Sequence, residues 1–564
     1  MADEPKPAES ESVAAPQSGP SSEGRSMRVR FPLAVLVLAA VALGAVWSIN
    51  PDVLERGWQM MVSYLIGLAT LAVVLAWFLF FSGIPARVRI VSFLLLALVC
   101  GGAVASVRQV DFTGDMVPVF SFKWQPPPEE VLEQHRAAAE KDESQVALSP
   151  IRETDMAEYR GANRDGIVVG PPLQREWETQ APKQLWRQPV GGGYASFAVV
   201  GDAAVTIEQR RDKEAVVCYD AGTGRERWVY DYPAAFREPM GGDGPRSTPT
   251  IRGGKVYSLG ATGLLSCLDA STGAEIWKVN VLEENAVPNI EWGMCSSPLV
   301  YDGWVVVNPG AQKGSADSRA LWAFDAETGE RVWSAGTTKA SYGSPSLAML
   351  DGVRQVLQFD ASGVVAYDAD GGATLWQFPW TTDFDINAAQ PLVLPDNRVL
   401  LSSGAGSSML RVEFDAGEWK VEQLWTNRNM KAAYANIIHH RGFLYGLDNG
   451  ILACLNAETG ERQWKRGRYG HGQMLLSEDL LVILSEKGEL ALVEATPTAF
   501  RELGRMSAIE GRTWNPHALV KGRAFVRNHL EMACYELPLA AEQGSSEVAE
   551  GPAANESGET PVEN

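Results

Sequence analysis

The 564-residue sequence predicts an all-β protein, an eight-bladed β-propeller, preceded by a three-helix transmembrane bundle. Three observations carry that expectation. One phrase returns five times: CYDAGTGRERW (218–228), CLDASTGAEIW (267–277), AFDAETGERVW (323–333), AYDADGGATLW (366–376) and CLNAETGERQW (454–464). Tryptophans close successive units at Trp186, Trp228, Trp277, Trp333, Trp376, Trp425 and Trp464, at intervals of 39 to 56 residues that suit four short strands per unit. Three uncharged apolar runs stand before the first unit.

Taken in chain order, residues 1–27 are rich in Glu, Pro, Ser and Ala and read as a disordered acidic cytoplasmic tail. Within residues 28–108, the runs 31–49, 58–84 and 90–107 are each long enough to cross a bilayer, which takes ~20 helical residues. Arg25, Arg28 and Arg30 precede the first run, and Arg87 and Arg89 separate the second from the third. The first connection carries only Arg56, beside Asp52 and Glu55. Positive charge marks the cytoplasmic side, so the N-terminus is expected inside and everything after Arg108 outside, in the periplasm of a bacterial inner membrane. Residues 109–158 read as a linker in which EEVLEQHRAAAEKDE forms a short exposed helix or stalk. The propeller occupies 159–540. Residues 541–564, with six Glu and no Lys or Arg, form a second disordered acidic tail.

Within each unit the repeated Asp is placed to accept backbone N–H groups two and three residues on, and the Gly supplies a positive φ. The Trp offers a broad apolar face to the next repeat, with its indole N–H left to find a partner. The segment HALVKGRAFVRNHLEMACYEL lacks an outer strand, while QLWRQPV at 184–190 lacks three inner ones. Joined, they make one composite blade that closes the ring and removes both sheet edges.

A net charge of −20 argues against a nucleic-acid partner, which needs clustered Lys and Arg. The six cysteines include no C-x-x-C and no adjacent pair; Cys218, Cys267 and Cys454 share one repeat position and read as small buried core residues. With six histidines, no metal-ligand spacing stands out.

The repeated phrase resembles the pyrroloquinoline-quinone (PQQ) repeat, and YRGANRDGIV (159–168) resembles the W-R-G-x-x-R-x-G lead-in of bacterial PQQ-like propellers, with Tyr159 in place of Trp. The resemblance covers roughly 159–537. It implies the fold, and it implies either of two functions: a quinoprotein dehydrogenase or a non-catalytic scaffold similar to the assembly factor BamB. The dehydrogenase reading requires PQQ and a Ca²⁺ held by oxygen ligands. Glu291, Asp383 and Asp385 are the carboxylates available for it, each also readable as an ordinary loop acid. Many alcohol dehydrogenases of the family carry a disulfide between adjacent cysteines, which is missing here.

Aligning the innermost strands exposes a column: Tyr194, Arg246, Cys295, Tyr342, Ala388, Tyr434, His471 and Trp514. Two residues on lies a mostly polar column, Ser196, Thr248, Ser297, Ser344, Gln390, Asn436, Gln473 and Pro516, on the same strand face. Either the first column rings a channel mouth, with Tyr194, Arg246, Tyr342, Tyr434, His471 and Trp514 as binding residues, or it packs between blades. The expectation is a membrane-tethered periplasmic propeller that binds a protein or small ligand, with no cofactor and no chemistry of its own. The alternative is a PQQ- and calcium-dependent dehydrogenase that delivers electrons to membrane quinone.

Overall fold

A computed structural model describes residues 22–50, 54–139 and 149–540, with side chains from Arg30 onward. The acidic segments 1–21 and 541–564 lie outside the described residues. Three long helices come first: α1 (Ser22–Ser48), α2 (Arg56–Phe80) and α3 (Ala86–Ser106). Each holds a window apolar enough to cross a membrane and buries none of it inside the protein. Helix α1 begins before residue 28, because Glu23, Arg25 and Arg28 are good helix formers that extend it. Helix α2 stops at Phe80, ahead of Gly83 at φ +71° and Pro85, rather than running to residue 84.

Eight four-stranded antiparallel units follow. The first seven span 198–233, 250–280, 299–335, 346–379, 392–427, 438–468 and 473–507. The eighth is composite: strands Ala518–Val520, Arg523–Arg527 and Glu531–Glu536 take Lys183–Pro189 as their outer strand, with Trp186 opposite Cys534. The ring closes as the sequence predicts.

The repeated phrase works as a clasp between neighbours. Asp220 Oδ1 accepts from Gly222 N at 3.0 Å and Thr223 N at 2.7 Å, and Asp269, Asp325, Asp368 and Asn456 repeat the arrangement. These bonds shape a turn whose Gly lies under the Trp of the preceding blade. Trp186 covers Gly224, Trp228 covers Gly273, Trp277 covers Gly329, Trp333 covers Gly372 and Trp425 covers Gly460. Four of these indoles donate to the Ala after the covered turn's Asp or Asn, as in Trp228 Nε1 to Ala270 O at 3.1 Å. Blade five has no Thr-Gly turn, and Trp376 turns instead to Gln355 of its own blade at 2.7 Å.

Two segments outside the blades seal the axis. Around 156–168 the lead-in crosses one end of the channel: Met156 pairs with Val199, and Ile167–Val168 joins blade seven in parallel with Leu476 and Ser477. Its two arginines act as staples. Arg164 bonds Ser297 O at 3.1 Å, Pro345 O at 2.8 Å and Pro298 O, and pairs with buried Glu158 at 2.8 Å. Arg160 reaches Ile437 O at 3.2 Å. Blades three, four and six are thereby tied to one short segment. Gly166 is required there, at φ +81°, because a Cβ would come within 2.7 Å of the Arg160 guanidinium.

The stretch expected to be a stalk is built differently. Val107–Phe112 and Pro118–Phe122 form a β-hairpin, and α4 (Pro128–Ala138) packs on the propeller. Leu132 is buried, and Arg136 reaches Glu226 of blade one at 3.2 Å. Burial of Leu132 and this ion pair hold the helix down, so it is no free spacer.

Candidate functional site

The second end of the channel is a mouth formed where the chain enters each innermost strand. The first column meets there, but its members do different things. Tyr194 is buried, with Arg246 over its ring at 4.7 Å and Arg512 at 5.7 Å. Burial raises the Tyr194 hydroxyl above its ordinary pKa, against the opposing pull of the two guanidiniums. Arg246 donates to Trp292 O and Gly242 O, both at 2.8 Å. Trp514 donates its indole N–H to Glu486 at 2.8 Å and lies 4.4 Å under the Arg512 guanidinium. His529, half-buried and stacked on Tyr194 beside Arg512, is pushed down to about 4, chiefly by desolvation.

The hairpin delivers its tip into this half of the mouth. Gly114 N donates to Glu486 Oε1 at 2.6 Å, and Arg512 Nη1 donates to Phe112 O at 2.7 Å. Asp115 pairs with Arg468 at 3.0 Å, and Asp111 lies 3.6 Å from Arg512. The His471 ring presses so closely on Gly114 that a Cβ there would overlap it. Tyr64 of α2 donates to Met116 O at 3.0 Å, and Glu55, in the α1–α2 connection, accepts from Asn449 at 3.4 Å. The mouth therefore faces the helices.

The other half is uncovered. Tyr434 is 51% exposed and meets His471 edge-on at 5.3 Å; Tyr342 and Trp292 are half-buried and pack at 5.6 Å; Phe384, at φ +59°, is 75% exposed. Tyr194, Arg246 and Trp514 thus belong to an internal network, whereas Tyr342 and Tyr434 border open space.

The polar column has a role that its face alone did not indicate. Ser196 N donates to Thr248 Oγ1, Thr248 N to Ser297 Oγ, Ser297 N to Ser344 Oγ and Gln390 N to Asn436 Oδ1, at 2.8–3.1 Å. In these four steps, from blade one through blade four and from blade five to blade six, one blade's backbone is satisfied by the next blade's side chain, a partial belt of hydrogen bonds near the axis. Missed altogether in the sequence were Arg512, Glu486 and Arg468. Glu486 lies in the connection between the two middle strands of blade seven, a place that carries no repeat signal.

Comparison with known proteins fits this architecture. A family described as "Outer membrane protein assembly factor BamB" matches residues 178–258 and 239–466, together just over half of the chain. The chain belongs to the PQQ-like β-propeller family. Within that family it is 28% identical over 234 residues to the outer membrane protein assembly factor BamB of Burkholderia pseudomallei, covering 39% of this chain and 51% of that one. It is 32% identical over 173 residues to a quinohemoprotein alcohol dehydrogenase of Comamonas testosteroni, covering 30% of this chain and 23% of that one. The chain thus spans from about a quarter to about half of these curated relatives' length. The crystal structure of the Comamonas testosteroni enzyme shares the fold, with a TM-score of 0.50 at 13% identity over 73% of this chain and 85% of that one.

The PQQ-like resemblance raises PQQ and calcium, and the carboxylates can be tested for fit. Glu291 and Asp383 are exposed, and Asp385 is paired with Lys339 at 2.7 Å. Among the described residues no group of three or more His, Cys, Asp or Glu side chains is arranged to hold a metal. Glu486, the buried carboxylate of the mouth, already accepts from Trp514, Gly114 and His471 N. These residues do not form an oxygen cage for calcium, which takes six to eight ligands.

Proposed function

We propose that this chain is a membrane-tethered, non-catalytic propeller that holds a polypeptide partner at its helix-facing mouth, on the periplasmic side of a bacterial inner membrane. One observation carries the reading: the buried charged groups of the mouth are committed to polypeptide backbone and to one another, and beside them lies an open aromatic rim. Exposed Tyr434, with half-buried Tyr342 and Trp292 nearby, supplies the aromatic residue types that protein interfaces use as anchors. The orientation rests on two facts together. Arg30, Arg87 and Arg89 lie at the helix ends remote from the propeller, while the α1–α2 connection touches it through Glu55.

The competing reading, a quinoprotein dehydrogenase, draws on the 32% identity to the quinohemoprotein enzyme. Purified protein supplied with PQQ and Ca²⁺ is expected to leave an artificial electron acceptor unreduced with any primary alcohol or sugar. Turnover in that assay overturns the scaffold reading. A photo-crosslinking residue at position 434 is expected to trap a second polypeptide in intact cells, and the adduct should disappear with Trp292→Ala.

A further inference from the structure

The hairpin tip sits in the mouth as a ligand sits in a site. Its body is weakly held: Val119, Phe120 and Trp124 are exposed, and an isolated two-stranded hairpin is marginal in water. The tip, by contrast, is read at four points. Thr113–Met116 is a tight turn closed by Met116 N to Thr113 O at 2.8 Å, with Met116 at φ +62°. Arg512 takes the carbonyl before the turn, Glu486 takes the N–H of its second residue, and Arg468 takes the carboxylate of its third. His471 leaves room for glycine alone at the second position. Carbonyl, N–H, absent Cβ and acid together specify a backbone shape and a charge, which is more than a covering segment needs.

Resting on the reading of the mouth as a partner site, we infer that it is a turn-recognition site, and that the hairpin tip is a tethered resident which a partner's turn replaces. The partner presents a tight β-turn with glycine followed by an acidic residue. The recognition draws on the hairpin's strands only where the first of them enters the turn, at Asp111 and Phe112. Displacement would also uncover Trp514 and Arg512, joining the filled half of the mouth to the aromatic rim of Trp292, Tyr342 and Tyr434 in one continuous surface.

The test uses the full chain in detergent micelles and a fluorescent cyclic peptide carrying residues 112–117. Two variants evict the resident by different means: Gly114→Val by overlap with His471, and Asp115→Arg by repulsion from Arg468. Eviction is read as faster hydrogen exchange across 110–117. A tethered tip competes at roughly millimolar effective concentration, so the evicted proteins are expected to bind the peptide at least about tenfold more tightly than the wild type. Peptide bearing Asp115→Asn should bind several-fold more weakly, and Arg468→Gln in the protein should abolish that difference. Three results overturn the inference: evicted protein that ignores the peptide, equal affinity in wild type and evicted protein, or unchanged exchange in both variants. Each of these leaves the non-catalytic scaffold standing, whereas PQQ-dependent turnover fells the scaffold without touching the peptide result.

Discussion

The Trp–Gly clasp makes a quantitative prediction about Trp228 and Gly273. Trp228 is 8% exposed, so truncation to Ala is expected to cost about 3–5 kcal/mol. Gly273 sits at φ +72°, where an L side chain costs about 1–2 kcal/mol, and its added Cβ would lie 2.5 Å from Trp228 Cε3, an overpacking of about 1–3 kcal/mol. In the double variant the indole is gone and the overpacking goes with it; only the backbone cost of Gly273→Ala remains. The two changes together should therefore fall short of their sum by about 1–3 kcal/mol. Denaturant unfolding of the full chain, followed by circular dichroism, reads all four corners of the cycle. The control is Trp376 with Gly417, which is at φ +90° with nothing within 4 Å of its would-be Cβ. That pair should add within about 0.5 kcal/mol. A Trp228–Gly273 cycle equally additive would refute the clasp.

Two further outcomes follow from buried polar groups. Arg164→Ala removes one of Glu158's two ion partners, the other being Arg252, together with three hydrogen bonds to carbonyls of blades three and four, so a loss of about 3–5 kcal/mol is expected; Arg164→Lys should not restore it, because one ammonium cannot span the fork. A melting temperature within a degree of the parent's would show that the lead-in does not staple the ring. Burial lowers His517 from an ordinary 6.5 to about 4. Between those values the unfolded chain binds the proton and the folded one does not, so this histidine's contribution is complete above pH 6.5 and is lost as pH falls toward 4. Melting curves across that range should decline more shallowly in His517→Gln; parallel slopes would count against it.

The repeat was legible because its chemistry is local. Asp220, Thr223 and Gly224 build their turn within a few residues, and Trp228 follows at a fixed step, so the blades and the composite closure could be counted from spacing. The mouth was legible only as a column, because what each member does depends on distant chain. Tyr434 and Trp514 occupy equivalent positions, yet one is exposed and the other lies under Arg512, since the hairpin tip is seated on Glu486 and Arg512, beside Trp514. The hairpin had a local signal, the apolar alternation of Val110, Phe112, Phe120 and Phe122 around Thr113-Gly114-Asp115. Its neighbour Pro-rich segment pulled the whole stretch toward a linker reading. Leu132 is one buried residue on an 11-residue helix, too little periodicity to mark a docked face.

The pairing of Trp186 with Cys534 has a consequence for synthesis. The outer strand of the last blade is the first propeller strand to leave the ribosome, and its partner is the last. Until Glu531–Glu536 is made, Lys183–Pro189 has no sheet to join, and the nascent ring carries two unpaired edges on a chain already anchored by its helices. Loop-closure entropy grows only slowly with length, so the delay is a matter of translation time more than of thermodynamic cost. During that interval the open edges stand beside a membrane crowded with other nascent chains. Any truncation ahead of residue 531 would make the interval permanent, leaving a product prone to edge-to-edge association rather than a shortened working protein.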